Sequence, residues 1–515
     1  MLKMNPYFLE GILNTDQYQL TMAQLYFLNG DHEQQVTFEH FFRKYPDYGT
    51  SKAGYCINAG LEWLISWIKE TAFTKEDLGF LRDQRTSGGK RLFDENFVRW
   101  LGNINFLESL SIDAIPEGRV VHPAVPLVVI RGPLAIAQLL ETALLNQLNY
   151  QILVATKASR IKMAGHDQLL LEFGTRRAQD RGVSAGIRAA LIGGADFTSN
   201  VATSGFFGFE PKGTHSHAMV QYYMGQGYSE REAFQLYADL YPDNCILLVD
   251  TINTLESGVP NAIHVFEVLR KKGHEPIGIR LDSGDLAYLS IRSARMLDEA
   301  GFVNAKIVLS NELDEINIWQ IITQIEQEAA QYNVDPNRLI NRLVYGVGTR
   351  LITSAGDPAL SGVYKLTSIH RDGQWIPTTK VSESQSKSII PGNKKVLRIY
   401  TPTGKANADV LTLDNEEFPE QETFQLYHPF DPDKHRTMKK AGIARTETLL
   451  EKIVNTGKIV CEFPQINKIR EKRMQDIDCL DPGVKRLIRP HVYHVSLSEK
   501  LNDLRKQIAG SLSRS

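Results

Sequence analysis

Two histidines stand two positions apart in Gly213-Thr-His-Ser-His217, between a strand-like segment and a helical one. That spacing can ligate a metal, but no third ligand stands nearby at a sensible distance. The remaining readings are an imidazole that carries a proton or a phosphoryl group at the mouth of a fold, or a hydrogen-bonded structural histidine. Ile279-Arg-Leu-Asp-Ser-Gly-Asp285 is more informative, because Arg280 and Asp282 alternate with apolar neighbours at a strand end and therefore point the same way. One face then offers a cation for an anion and a carboxylate for sugar hydroxyls or Mg2+, with Asp250 and Asp285 as further oxygen ligands on neighbouring strand ends. An internal Arg280–Asp282 ion pair is the plainer alternative.

Glu172-Phe-Gly-Thr-Arg-Arg-Ala-Gln179 places two arginines just past a buried strand. Their forked guanidinium groups suit planar recognition of carboxylate or phosphate, although an Arg pair can also simply solvate a helix start. Tyr345-Gly-Val-Gly-Thr349 lets backbone amides approach an anion, with a threonine hydroxyl as an added donor. A lone GxG carries little weight, and its value here comes from its position.

These residues fall at the ends of short apolar runs. The runs are Gln168 to Phe173, Cys245 to Val249, Pro276 to Leu281, Lys306 to Leu309 and Leu343 to Tyr345; helical patterns occupy Asp180 to Leu191, Glu230 to Leu240, Asn261 to Lys272 and Asp285 to Glu299. Strands alternating with helices predict a parallel sheet. Five ends bearing polar chemistry favour an irregular α/β barrel over an open doubly wound sheet, because barrel loops converge on one mouth. The expected division is an N-terminal α+β domain over 1–146, the α/β barrel over 147–366, and a C-terminal β-hairpin and helical region over 367–515 that packs on the first. In the N-terminal domain, Val36, Phe38, His40 and Phe42 alternate as a strand.

With 515 residues, 42% hydrophobic and 23% charged, the chain can bury a large core. A net charge of -2 gives no field that argues for nucleic acid or an anionic membrane. Cys56, Cys245, Cys461 and Cys479 form no CxxC pair and read as free thiols of a reducing compartment. With no signal-like N-terminus and no stretch of about 20 apolar residues, a soluble cytoplasmic protein is expected.

The ordered motifs resemble the nicotinate phosphoribosyltransferase family. They run over nearly the whole length, from Asn14-Thr-Asp-Gln-Tyr18 through EFGTRRAQ (172–179), TSN (198–200), GTHSHA (213–218), IRLDSGDL (279–286), SNELDE (310–315), YGVGT (345–349) and GVYKL (362–366) to PHVYHVSLS (490–498). The resemblance implies an enzyme of NAD biosynthesis that joins nicotinate to phosphoribosyl pyrophosphate, with Mg2+, with ATP as co-substrate, and as a homodimer with a shared active site. By similarity, Tyr18 reaches across the dimer interface and with Phe173 sandwiches the pyridine ring. Arg280 meets the nicotinate carboxylate, Thr214 lines the base pocket, and His217 becomes phosphorylated. Gly346, Gly348 and Thr349 hold the 5-phosphate, Asp282 lies near the ribose, and Arg176 helps hold phosphate or pyrophosphate.

Nicotinamide-using relatives carry an aspartate at the position of Ser199, which would repel a carboxylate by roughly 4 kcal/mol at 4 Å and an effective dielectric near 20. Serine is compatible with the acid. A quinolinate-using relative should need a denser cluster of cations, and an inert metabolite-binding barrel should have lost part of the set. The chain departs from the family pattern at Thr378 and Thr379, where members often carry an arginine ahead of Lys380-Val-Ser-Glu383. Lys365, Lys380 and Lys387 are therefore the candidate cations for pyrophosphate.

Overall fold

The computed structural model describes residues 11–49, 51–180, 182–380, 389–417, 421–431 and 433–512. The chain forms two compact units, one from Met1–Leu153 with Asp357–Ser515 and the other from Val154–Gly356. The divisions lie seven residues after 146 and ten before 366, the limits expected from sequence. The second shift has a clear cause. Gly362–Arg371, which contains the GVYKL motif, pairs antiparallel with Gln35–Phe42 and so belongs to the sheet of the first unit.

In that unit a seven-stranded antiparallel sheet is built from both ends of the chain, with Gln35–Phe42 between Gly362–Arg371 and Val128–Pro133. Both faces of Gln35–Phe42 are covered, so its alternating pattern does not mark a solvent side. A six-stranded sheet follows, containing the hairpin Lys394–Tyr400 and Ala406–Leu413, which the sequence pattern places at Lys395 to Tyr400 and Ala408 to Leu413. The last hundred residues, read from sequence as helical, add the strands Thr423–Tyr427, His435–Lys439, Arg445–Thr448, Glu451–Asn455 and His494–Leu497 beside two helices.

An ion network ties the two chain segments together: Arg398 makes a forked pair with Asp409 at 2.8 Å and reaches Asp476 at 3.1 Å, and Asp476 also accepts from Arg119 at 2.7 Å. Each of these side chains is nearly fully buried, so removing any one would strand a charge.

The second unit holds six parallel strands in the order Phe197–Thr198, Leu169–Glu172, Leu343–Val347, Lys306–Leu309, Gly278–Leu281, Ile246–Leu248. The helices Gly182–Gly193, Glu230–Leu240, Val259–Lys271 and Leu286–Glu299 alternate with them, close to the ranges that periodicity predicts, and Glu315–Glu328 adds a helix that the sequence reading did not mark. Phe197–Thr198 was not expected, because two residues are too short to show a period. The ladder runs from Phe197–Thr198 to Ile246–Leu248, and no pairing joins those two edges among the described residues. All four cysteines are free, and no described helix is long and apolar enough to cross a membrane.

Candidate active site

Side chains alternate faces along a strand, so residues two apart share one. Leu171, Val308 and Val344 form a buried apolar cluster against which Phe173, Phe197 and Ile246 pack. Two residues further along each strand, beyond this floor, come Phe173 after Leu171, Ser199 after Phe197, Ser310 after Val308 and Gly346 after Val344, with Gly348 two beyond that. On the remaining strands Arg280 stands in register with Val308, with Asp282 next on its face. Asp250 follows Ile246 and Leu248. The spacing therefore converges on a polar end above an apolar floor.

Arg280 is mostly buried and held on three sides: its Nε–H donates to Ser310 Oγ at 2.9 Å, Nη1 to Thr214 Oγ1 at 3.2 Å and Nη2 to Asp282 Oδ1 at 3.1 Å. Its guanidinium carbon lies 5.6 Å from the centre of the Phe173 ring. The internal Arg280–Asp282 pair is therefore present, and it is compatible with anion binding because it leaves guanidinium donors over.

The two histidines separate. His215 is buried, donates from Nδ1 to Ser216 O at 3.3 Å and accepts the Leu248 N–H on Nε2 at 3.1 Å. Both nitrogens are used, and burial pushes its pKa down to about 4, so it is a neutral structural histidine. His217 begins the helix His217–Gly225 and is partly exposed, with Nε2 3.0 Å from Oδ1 of the enclosed Asp250. Asp250 Oδ2 accepts the backbone N–H of Asp282 at 3.1 Å and the Ser283 hydroxyl.

This engagement bears on the metal expectation. Asp250 has both oxygens bonded within the protein, while Asp285 caps the helix Leu286–Glu299 by accepting from Tyr288 N–H at 3.0 Å and takes Gln324 at 3.3 Å. No group of three or more His, Cys, Asp or Glu side chains arranged for a metal occurs among the described residues. Asp250, enclosed and bonded on both oxygens, does not fit a direct Mg2+ ligand, whereas the exposed Asp285 keeps a lone pair on each oxygen.

Glu172 faces the opposite side of its strand. Fully buried, it accepts from Thr198 Oγ1 at 2.7 Å and from Gly174 N–H, and burial raises its pKa. It holds the turn that follows Phe173. The glycines of Tyr345-Gly-Val-Gly-Thr349 have a packing reason as well: a β-carbon at Gly346 would run into the edge of the Phe173 ring, and one at Gly348 would lie 3.1 Å from Phe173 O. Thr349 opens a short helical turn, Thr349–Ile352. Arg176 is exposed just beyond Phe173, and Ser199 donates its backbone N–H to Glu172 O at 3.0 Å.

In the first unit, Tyr18 lies on the helix Gln17–Asn29 with half of its surface exposed. Lys365 pairs with Glu141 at 3.2 Å, and Lys380 is exposed. Lys387 and Val381 to Glu383 lie outside the described residues. Sequence reasoning missed the Asp250–His217 pair and the part played by Ser310. The alternation along each strand signals their shared face, but not their contact.

The second unit is thus a parallel α/β unit that gathers a cation, carboxylates and an imidazole at its strand ends. The N-terminal and C-terminal domain models of nicotinate phosphoribosyltransferase match residues 13–149 and 393–505. The nicotinate phosphoribosyltransferase of Bacillus subtilis is 40% identical over 95% of this chain and 93% of its own length. The human one is 30% identical over 96% of this chain and 95% of its own. The crystal structure of human nicotinic acid phosphoribosyltransferase superposes with a TM-score of 0.77 at 27% identity, covering 96% of this chain and 99% of that one. The chain belongs to the nicotinate phosphoribosyltransferase family.

Proposed function

We propose that this chain joins nicotinate to phosphoribosyl pyrophosphate, giving nicotinate mononucleotide and pyrophosphate in NAD biosynthesis, with the reaction coupled to ATP hydrolysis through His217. The observation that carries the reading is Arg280, whose guanidinium is fixed between Ser310, Thr214 and Asp282 beside the Phe173 ring. A fixed cation next to an aromatic face suits a flat ring bearing one carboxylate. Ser199 on the same face adds no charge against that carboxylate, which favours the acid over its amide.

Breaking the bond from ribose to pyrophosphate develops positive charge on C1 and negative charge on the leaving group. Asp282 is the carboxylate proposed to steady the ribose. Arg176, Gly346, Gly348, Thr349 and Lys380 are the groups proposed for the phosphates. Mg2+ would accompany the pyrophosphate, with the exposed Asp285 as the carboxylate left to meet it, since Asp250 is enclosed and engaged. Asp250 accepts Nε2–H of His217 and leaves Nδ1 with its lone pair. That nitrogen can attack the γ-phosphorus of ATP, releasing ADP, and water later frees phosphate from it. The exposed Tyr18 suits a ring that completes the site of a second subunit in a cytoplasmic homodimer.

We also infer that the parallel sheet rolls into an irregular barrel. Phe197 and Ile246 come from its two edge strands yet pack on one cluster. Between those edges, Lys212 N–H donates to Thr198 O at 3.0 Å and Leu248 N–H donates to His215 at 3.1 Å, so the chain around 212–215 fills the gap.

Radiolabelled nicotinate and nicotinamide, each supplied with phosphoribosyl pyrophosphate, Mg2+ and ATP, test the reading. Nicotinate mononucleotide should form from the acid alone, and His217→Ala should lose ATP stimulation. Turnover of the amide would overturn the substrate assignment; ATP stimulation that survives in His217→Ala would overturn the phosphohistidine.

A further inference from the structure

Ser310 is 3% exposed at the end of the strand Lys306–Leu309, and its single hydroxyl stands among three polar groups. It accepts Arg280 Nε–H at 2.9 Å, and Asp282 Oδ1 and Leu281 O, the latter at 3.2 Å, are both within reach of its one proton. The Asp282 contact is the closer of the two, and a carboxylate is the stronger acceptor, so the proton goes to Asp282. Asp282 Oδ1 also accepts from Arg280 Nη2 at 3.1 Å. The three side chains close a ring: Arg280 Nε–H to Ser310, Ser310 O–H to Asp282, and Arg280 Nη2–H to the same carboxylate.

Counting donors shows what the ring does. A guanidinium has five N–H groups. Nε–H is taken by Ser310, one Nη1–H by Thr214 and one Nη2–H by Asp282. One hydrogen remains on each terminal nitrogen, the pair that a carboxylate accepts side by side. Without the Ser310 contact the guanidinium can turn about its Cδ–Nε bond and keep its charge while losing this presentation.

We propose that Ser310 is a positioning residue for substrate recognition: by holding Arg280 Nε–H and linking it to Asp282, it fixes the two free guanidinium hydrogens for the carboxylate of the pyridine substrate. The proposal rests on the reading of Arg280 as the carboxylate contact. It assigns a role to a residue that itself touches no substrate.

The test compares Ser310→Ala, Ser310→Cys, Arg280→Lys and Ser310→Ala/Arg280→Lys with the wild type, following KM for nicotinate, KM for phosphoribosyl pyrophosphate, kcat and the thermal midpoint. Losing a hydrogen bond to a charged group should raise KM for nicotinate by roughly tenfold or more in Ser310→Ala. The rise in KM for phosphoribosyl pyrophosphate should be smaller, with the thermal midpoint close to that of the wild type. Ser310→Cys, whose thiol is a poor partner, should behave like Ser310→Ala. Lysine has no Nε–H fork, so Ser310→Ala should cost little further in the Arg280→Lys background. An unchanged KM for nicotinate in Ser310→Ala, or the same fold-rise with and without Arg280, would overturn the proposal. A wild type that uses no nicotinate would instead remove the function on which it rests.

Discussion

Asp250 Oδ1 lies 3.0 Å from His217 Nε2, and the carboxylate is almost fully enclosed while the imidazole is about one-third exposed. The same carboxylate anchors Asp282 N–H and the Ser283 hydroxyl, so one buried group orients both the imidazole and the loop that carries Asp282. Asp250→Asn keeps the shape but removes the charge that selects the Nε2–H tautomer. We expect ATP-dependent labelling of His217 to slow by roughly 100-fold or more in this variant, while in the wild type the label should sit on Nδ1. Phosphorus NMR of the denatured, labelled wild type distinguishes the two nitrogens, and label on Nε2 there, or an unchanged labelling rate in Asp250→Asn, would contradict this arrangement.

Gly346→Ala should act through Phe173. The new β-carbon must displace the ring edge, so the variant should be destabilised by about 1–3 kcal/mol and should bind nicotinate more weakly. Gly348→Ala meets only a carbonyl at 3.1 Å and should be milder. Urea denaturation and nicotinate titration of both variants check the order; equal effects would remove the packing explanation.

Glu315 is enclosed with two cations, Lys157 at 2.8 Å and Arg160 at 3.1 Å, each of the three at most 2% exposed. Glu315→Gln leaves two buried positive charges against one neutral amide. The expected loss is about 3–5 kcal/mol, read as a lower denaturation midpoint. A variant as stable as the wild type would mean that the cluster relaxes into water.

Burial holds His40 and His215 at a pKa of about 4, and His122 at about 3. In the unfolded chain each titrates near 6.5. Below that pH the unfolded state takes up protons that the folded state refuses, so the contribution is complete above pH 6.5 and is lost as pH falls toward 4. At pH 5 the loss should be about 2 kcal/mol per imidazole. His122, which bonds Tyr45 at 2.7 Å and stacks on Tyr493 at 3.7 Å, is a suitable probe. His122→Gln should flatten the decline between pH 7.5 and 5 in chemical denaturation; an unaltered slope would argue against it.

Alternation along the chain was enough to place Arg280 with Asp282 and to predict a parallel α/β unit, because side-chain direction in a strand has a strict period of two. A local period of 3.6 likewise set helix ranges such as Glu230–Leu240, where Ser229 and Glu232 form a reciprocal cap. Contacts between distant segments carry no such period. Only the tertiary structure decided that His215 is structural while His217 faces Asp250, that Asp250 and Asp285 are already bonded, and that Gly346 makes room for an aromatic ring. It also moved Gly362–Arg371 into the sheet of the first unit, because strand pairing depends on which distant backbone offers free N–H and C=O groups. Local chemistry names the groups a site can use; packing of remote segments decides which of them remain free to act.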